Sequence, residues 1–268
     1  VRDISDSLCS PGGGLQCFAC CPPIRPKGYD HYPFRSSLRR LFIDSTALIK
    51  KGVLPQKEML GFFCPGLGFL DKSGQKIGCL LHPLQNQGRD LRVLTGYQPK
   101  CARESCPASR AYAVLSAEDR LYFRDLCLGM DSFSFSSPGQ NPVMRLLNLG
   151  PLLARLVFKA GPFGLAEMDS WACLGPDLPP AEGWFLAGLA GLRGKQLLWD
   201  PGLPVLLKEL NHDLLCRLEP LSPRDGGEPL NCLTNEWEAR FWRHLTGRNR
   251  VVPAELENWR AALNRILI

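Results

Sequence analysis

Cysteine spacing constrains this chain more than any other feature. Cys17-Phe-Ala-Cys20-Cys21 is followed by single cysteines at Cys64, Cys79, Cys101 and Cys106, set among turn-forming Gly, Asp, Ser, Asn and Pro. A C-x-x-C spacing lets one tight turn bring two sulfurs onto one ion, and the thiolate is the form that binds. Neighbouring side chains tend to point apart, so Cys20 and Cys21 are not expected to share one mononuclear ion. One of them ligates while the other serves a second site, a cluster edge or redox chemistry, or is simply a buried thiol.

Twelve cysteines in 268 residues need a cause. Small secreted domains use disulfides because they lack a core. This chain is 45% hydrophobic, enough for a sizeable core, and its first residues contain no apolar signal segment. The expectation is therefore a reducing, cytoplasmic setting in which clustered cysteines are metal ligands or redox groups. The chain begins at Val1 rather than Met, which is consistent with the loss of a leading segment. A net charge of +6 with 22% charged residues falls short of the dense basic stripe of a dedicated nucleic-acid binder. No run of apolar residues is long enough for a transmembrane helix.

In chain order, residues 1–16 read as a loose entry. Residues 22–33 hold Pro22, Pro23, Pro26 and Pro33 and read as an extended arm, with His31 as a loop residue whose spacing gives ligation no support. Ser37 to Lys51 reads as a helix with Leu38, Leu41, Phe42, Leu48 and Ile49 on one stripe. Its Arg35, Arg39, Arg40, Lys50 and Lys51 read first as a solvated face and second as a contact for nucleic acid or an acidic protein. Leu67–Leu70, the turn Asp71–Gly74 and Ile77–Leu81 read as a hairpin, with Cys64 before it and Cys79 on its return strand. Such a hairpin is too small to be stable alone, and a bound metal would supply stabilisation. Cys101 and Cys106 are expected in a long loop.

Cys17-Phe-Ala-Cys20-Cys21, Cys64-Pro-x-Leu, Gly78-Cys79-Leu-Leu-His82-Pro83 and Cys101 together resemble the YkgJ-like family of zinc- or iron-chelating CxxCC proteins. The resemblance covers residues 17 to about 106 and implies Cys17, Cys20, Cys21, Cys64, Cys79 and Cys101 as ligands. The chain departs from that pattern at Gly14, where the family often has a further cysteine and Cys9 is the nearest substitute. It departs again at Gln98-Pro99 and Cys101-Ala102, in place of Arg-Pro and Cys-Arg. With Cys106 added, the expected metal ligands are Cys17, Cys20, Cys21, Cys64, Cys79, Cys101 and Cys106.

Beyond Cys106 the pattern turns helical. Ser116 caps a helix to about Leu128, Pro151 breaks an apolar stretch from Val143 to Lys159, and residues 161–180 read as irregular. Further helices are expected at Trp184–Arg193, Leu203–Leu218, after the Asn235 cap, and from Pro253 to the end. Ser132–Pro142, SFSFSSPGQNP, reads as a polar linker. The expected fold class is mainly α with a small irregular β hairpin. A cysteine-rich metal-binding region spans residues 1–110 and a mainly helical region spans 111–268. Cys127, Cys173, Cys216 and Cys232 lack knuckle spacing and read as buried small hydrophobes.

No phosphate-binding glycine loop, H-E-x-x-H or G-x-S-x-G occurs. Pairing a cysteine with His82, His212 or His244 has no sequence support beyond chance, and no enzyme class is assigned. The thiols exceed the four that one tetrahedral zinc needs. Scattered single ligands suit a [4Fe-4S] cluster with a redox or electron-transfer role and a redox or protein partner. The alternative is a zinc-stabilised binding module contacting nucleic acid or an acidic protein.

Overall fold

The computed structural model describes residues 7–21, 29–54, 64–96, 98–103, 106–160, 164–175, 178–218, 227–230 and 233–267. The chain divides into two compact units, Val1–Leu147 and Asn148–Ile268. The fold is mainly α, with two small antiparallel two-stranded sheets among the described residues. No helix among them is long and apolar enough to cross a membrane.

The first unit is built on helix α1, Arg35–Lys50. It buries Leu38, Phe42, Ser45 and Thr46, one face at helical spacing. Leu48 lies off that face, 37% exposed, because the place next to the hairpin is taken by Thr46. The Thr46 hydroxyl donates to the Phe42 carbonyl at 2.6 Å and accepts the Phe69 N–H at 2.8 Å. Strands β1, Leu67–Phe69, and β2, Ile77–Cys79, pair antiparallel with Leu67 opposite Cys79 and Phe69 opposite Ile77. The turn between them is closed by the Asp71 carboxylate, which accepts from the Gln75 and Lys76 N–H groups at 3.1 and 3.0 Å. Arg39 donates to the Gly74 carbonyl at 2.9 Å and its guanidinium lies over the Phe69 ring. The hairpin therefore takes much of its support from α1.

Helices α2, Gln98–Arg103, and α3, Pro107–Ala113, replace the long loop expected around Cys101 and Cys106. Pro107 sets the first turn of α3, where its missing N–H costs no hydrogen bond. Helix α4, Ala117–Cys127, is capped by Ser116, whose hydroxyl accepts the Asp119 N–H at 3.1 Å.

The expected linker is instead core. Residues Ser132–Ser136 form α5, with Phe133 and Phe135 fully buried. The serines that made the stretch look polar are spent on backbone. Ser132 accepts the Ile77 N–H at 2.9 Å and Ser136 accepts the Phe18 N–H at 3.0 Å. Asn141 is also buried, its amide donating to the Phe135 carbonyl at 3.1 Å. A buried polar side chain with its bonds made is stable in a core, so this segment ties the knuckle and the hairpin together. Helix α6, Pro142–Leu149, follows.

The second unit contains α7, Pro151–Phe158, and a short α8, Leu165–Asp169, inside the stretch expected to be irregular. Then come α9, Gly183–Arg193, and α10, Leu203–Arg217. Glycine is needed at the start of α9, where a Cβ on Gly183 would sit 1.8 Å from the Leu149 carbonyl oxygen. Strand β3, Glu228–Pro229, leads to α11, Glu236–Thr246, and β4, Arg250–Val251, leads to α12, Pro253–Leu267. Asn235 caps α11 by accepting the Trp237 and Glu238 N–H groups at 3.1 and 3.2 Å. Phe185, Phe241, Trp242 and Trp259 pack ring against ring in the core, with neighbouring centroids 5.1 to 5.3 Å apart.

Glu182, 2% exposed, carries the clearest titration in this unit. Burial pushes its carboxyl up to about 7, against the opposing effect of the Asn211 amide, which donates to it at 2.9 Å. His244 Nε2 faces the same oxygen at 3.4 Å. A carboxyl raised on folding stabilises the fold fully below its unfolded pKa and loses that contribution as pH rises through its folded value. Urea melts are expected to show the protein losing about 2–3 kcal/mol between pH 5 and pH 8, with Glu182→Gln flat over the same range. Parallel pH profiles for the two proteins would refute this.

Candidate metal centre

The first knuckle is positioned by its aromatic residue. Phe18 is buried, with its ring 5.3 Å from Phe133 and 5.8 Å from Phe42, both edge-on, and 4.5 Å from the His31 ring. His31, expected to be an ordinary loop residue, is thus part of the core at 3% exposure. With Phe18 turned inward, the Ala19 N–H points at Cys17 Sγ, 3.4 Å away. The proline-rich run 22–28 lies outside the described residues, as do Phe62 and Phe63.

Residues 9–17 are a built turn and not a loose entry. The Cys17 N–H donates to the Cys9 carbonyl at 3.0 Å, and Gly12 bridges Leu15. Gly12, Gly13 and Gly14 all take positive φ, at 91°, 63° and 80°, a conformation that glycine adopts without a Cβ clash. Three glycines in a row therefore return the chain so that Cys9 stands beside Cys17. Cys9 was missed as a primary ligand because its distance from the knuckle in sequence hides this return; the Pro-Gly-Gly-Gly run between them was the signal.

The hairpin brings the next thiols. Cys64 precedes β1, its carbonyl accepting the Leu67 N–H at 3.0 Å, and Cys79 ends β2. Cys101 lies on α2, and Cys106 is the N-cap of α3, its Sγ accepting the Ser109 N–H at 3.4 Å.

Cys9 and the Cys17–Cys21 knuckle thus share one turn, and Cys64 and Cys79 flank the hairpin. Cys17 feels the charges of Cys106 and Cys20, and Cys9 those of Cys17 and Cys106. Cys21 feels Cys64, Cys64 feels Cys101, and Cys79 feels both Cys64 and Cys101. Hydrogen bonding from Cys106 and Cys21 holds the Cys20 thiol below the usual range, and the Cys20 contact does the same for Cys9. The hydrogen bond with Cys20, then burial, pushes Cys21 up. Burial raises Cys17 strongly, Cys64 to about 11 and Cys79 to about 12. Buried as they are, Cys17, Cys64 and Cys79 resist deprotonation until a cation joins them.

One cation is already nearby. Arg92 grips Asp90 with two hydrogen bonds of 2.8 and 2.7 Å; burial raises both Cys79 and Cys101, and the Arg92 charge opposes that rise. His82 is turned to other work, its Nδ1 accepting the Leu84 N–H at 3.2 Å. No group of three or more His, Cys, Asp or Glu side chains among the described residues is arranged, as it stands, to hold a metal ion.

Cys127 and Cys173 are fully buried, Cys127 beside the Asn141 amide at 3.6 Å. Cys216, expected to be buried, is exposed on α10 with His212 Nε2 at 3.7 Å, because α10 turns Leu203, Leu207 and Leu214 inward instead. Cys232 lies outside the described residues.

The basic face of α1 is partly occupied by the unit itself. Arg35 lies over Tyr32 and Phe133 and pairs with Asp131 at 3.8 Å, while Arg39 holds the hairpin turn.

These features define a class of candidate site, in which a C-x-x-C knuckle, a hairpin and two short helices carry the thiols. No family model, curated protein or solved structure matches the chain.

Proposed function

We propose that the first unit is a thiolate metal-binding module and that zinc is the ion it takes. The observation that carries this reading is that α5 ties the cysteine knuckle to the cysteine-flanked hairpin, Ser136 accepting the Phe18 N–H and Ser132 the Ile77 N–H. Soft thiolate donors select zinc or iron–sulfur centres over hard cations. A tetrahedral zinc with Zn–S bonds of about 2.3 Å has sulfurs about 3.8 Å apart along each edge. A C-x-x-C turn such as Cys17 to Cys20 can set two sulfurs at that spacing. Thiolates on the corners of a [4Fe-4S] cluster are held further apart by the iron and sulfide between them. The C-x-x-C knuckle is the element that closed zinc sites use, and it favours zinc over the cluster suggested by the scattered single cysteines. Closing the shell takes side-chain rotation and loss of the thiol protons, so affinity should rise with pH.

In this reading the residues have distinct tasks. Phe18 anchors the knuckle, Ser132 and Ser136 tie the hairpin and knuckle to α5, and Arg92 offsets negative charge beside Cys79 and Cys101. A metal held by all these segments fastens them into one surface, and the unit works as a metal-stabilised binding module in a reducing, cytoplasmic setting. With Arg35 and Arg39 engaged inside the unit, a protein partner is favoured over nucleic acid.

The iron–sulfur reading, with its redox or electron-transfer role, keeps one observation in its favour: the thiols outnumber the four that one zinc uses. Purification without oxygen, from cells supplied with both metals, separates the two. Colourless protein with stoichiometric zinc is expected. Brown protein with equal iron and acid-labile sulfide would overturn the zinc assignment, and protein free of any metal would overturn the module itself.

A further inference from the structure

We propose that Glu182 and Asn211 form a site for one buried proton, which clasps the turn before α9 to α10 while it is bound and loosens that clasp when it leaves. The site belongs to the second unit and is independent of the metal-module reading.

Two unmet oxygens carry the proposal. Glu182 ends the one-turn helix Pro180–Glu182, and its side chain is buried. Its Oε1 accepts the Asn211 Nδ2–H at 2.9 Å. Its Oε2 and the Asn211 Oδ1 are both closed to water, and among the described residues neither has a hydrogen-bond partner. A buried acceptor left without a donor is costly. No donor the size of water reaches either atom, so the donor that fits is a proton. On Oε2 it turns the carboxylate into an acid with one O–H to give. That O–H has the Asn211 Oδ1 as its acceptor, while Oε1 keeps the amide N–H. One proton thus satisfies both oxygens and closes an acid–carboxamide pair with a bond in each direction. Once it is lost, one bond remains between the turn and α10.

The charges on the surrounding helices leave this proton in place. Helices α9 and α11 pack against the turn, and α10 supplies Asn211. The ionisable group of α9 is Arg193 at its far end, which reaches the Ile266 carbonyl at 3.4 Å. On α10, Lys208, Glu209, His212 and Cys216 are exposed, and Asp213 pairs with Arg217 at 2.9 Å. On α11, Glu238 pairs with Arg260 and Arg240 lies over the Trp237 ring; Glu236, Arg243 and His244 are its other ionisable groups. His244 faces Glu182, its Nε2 3.4 Å from Oε1. It meets the oxygen that Asn211 already serves and leaves Oε2 bare. Burial holds the carboxyl up at about 7, so the proton is bound in mild acid and lost in mild base.

Carbon-13 labelling of Glu and Asn in the full, reduced chain tests this by NMR from pH 5 to pH 9, about two units on each side of that value. The Glu182 carboxyl carbon and the Asn211 amide carbon are expected to shift together with one midpoint. In Glu182→Gln the new amide donates and accepts in the same places without titrating, so the Asn211 signal should stay at its acid position at every pH. After correction for intrinsic exchange, the α10 amides beside Asn211 should exchange about tenfold faster at the alkaline end in the unaltered protein, the size of one lost hydrogen bond, and equally at both ends in Glu182→Gln. A Glu182 carbon that titrates while the Asn211 carbon stays still would show a buried acid with no shared proton and overturn the site. So would a Glu182 carboxylate that stays charged throughout. Exchange in α10 that ignores pH would overturn the clasp. The NMR titration needs no variant, so it decides the matter even if Glu182→Gln fails to fold.

Discussion

Protein refolded without metal is expected to lose hydrogen-exchange protection across residues 9–21 and 64–106 while the second unit keeps its own. Structural zinc in small peptides supplies about 10–16 kcal/mol of apparent binding free energy. A whole domain is held by about 5–15 kcal/mol. The segments that carry the thiols are short turns, a hairpin of three-residue strands and a six-residue helix, and none buries enough apolar surface to order itself. Within the first unit, α1 should be protected longest around Phe42 and Thr46, which have protein partners independent of the thiols. Restoring zinc should restore protection. Equal exchange with and without metal would show that packing alone orders the site.

The other large effect is expected at Phe18. Truncating a buried Phe to Ala costs about 3–5 kcal/mol from lost burial and the cavity left behind. Here the ring touches Phe42, Phe133 and His31, so the cavity would open at the centre of the first unit. The same change frees the turn that aims Cys17 and Cys20. Phe18→Ala should therefore lower both urea stability and zinc affinity, whereas Phe18→Leu, which refills most of the volume, should lose far less of each. A variant that loses stability but holds zinc as tightly as the original would separate the anchor from the site.

The errors of sequence reading at the linker and at the entry have one physical origin. Ser132–Ser136 looks like a linker because serines are polar, and nothing local reveals that the Phe18 and Ile77 N–H groups will use them. Residues 9–17 look loose because glycine permits disorder and tight turns equally, and only the Cys17 to Cys9 hydrogen bond distinguishes them. The basic face of α1 could be read for its charge but not for its partners, since Asp131 and Gly74 come from distant parts of the chain.

Local chemistry acts over a few residues, and what it governs could be read directly. Period and capping marked α1, α4, α7 and α9 to α12, and the Asp-Lys-Ser-Gly turn marked the hairpin. Knuckle spacing and flanking turns singled out the seven candidate thiols. What depends on contacts between distant segments was decided by tertiary structure alone. Packing brought Cys9 onto the Cys17 turn, set Arg92 near Cys79 and Cys101, and turned His31 and the two buried serines into core. A residue's type sets which bonds it can make, and only the path of the chain sets which partner comes within reach.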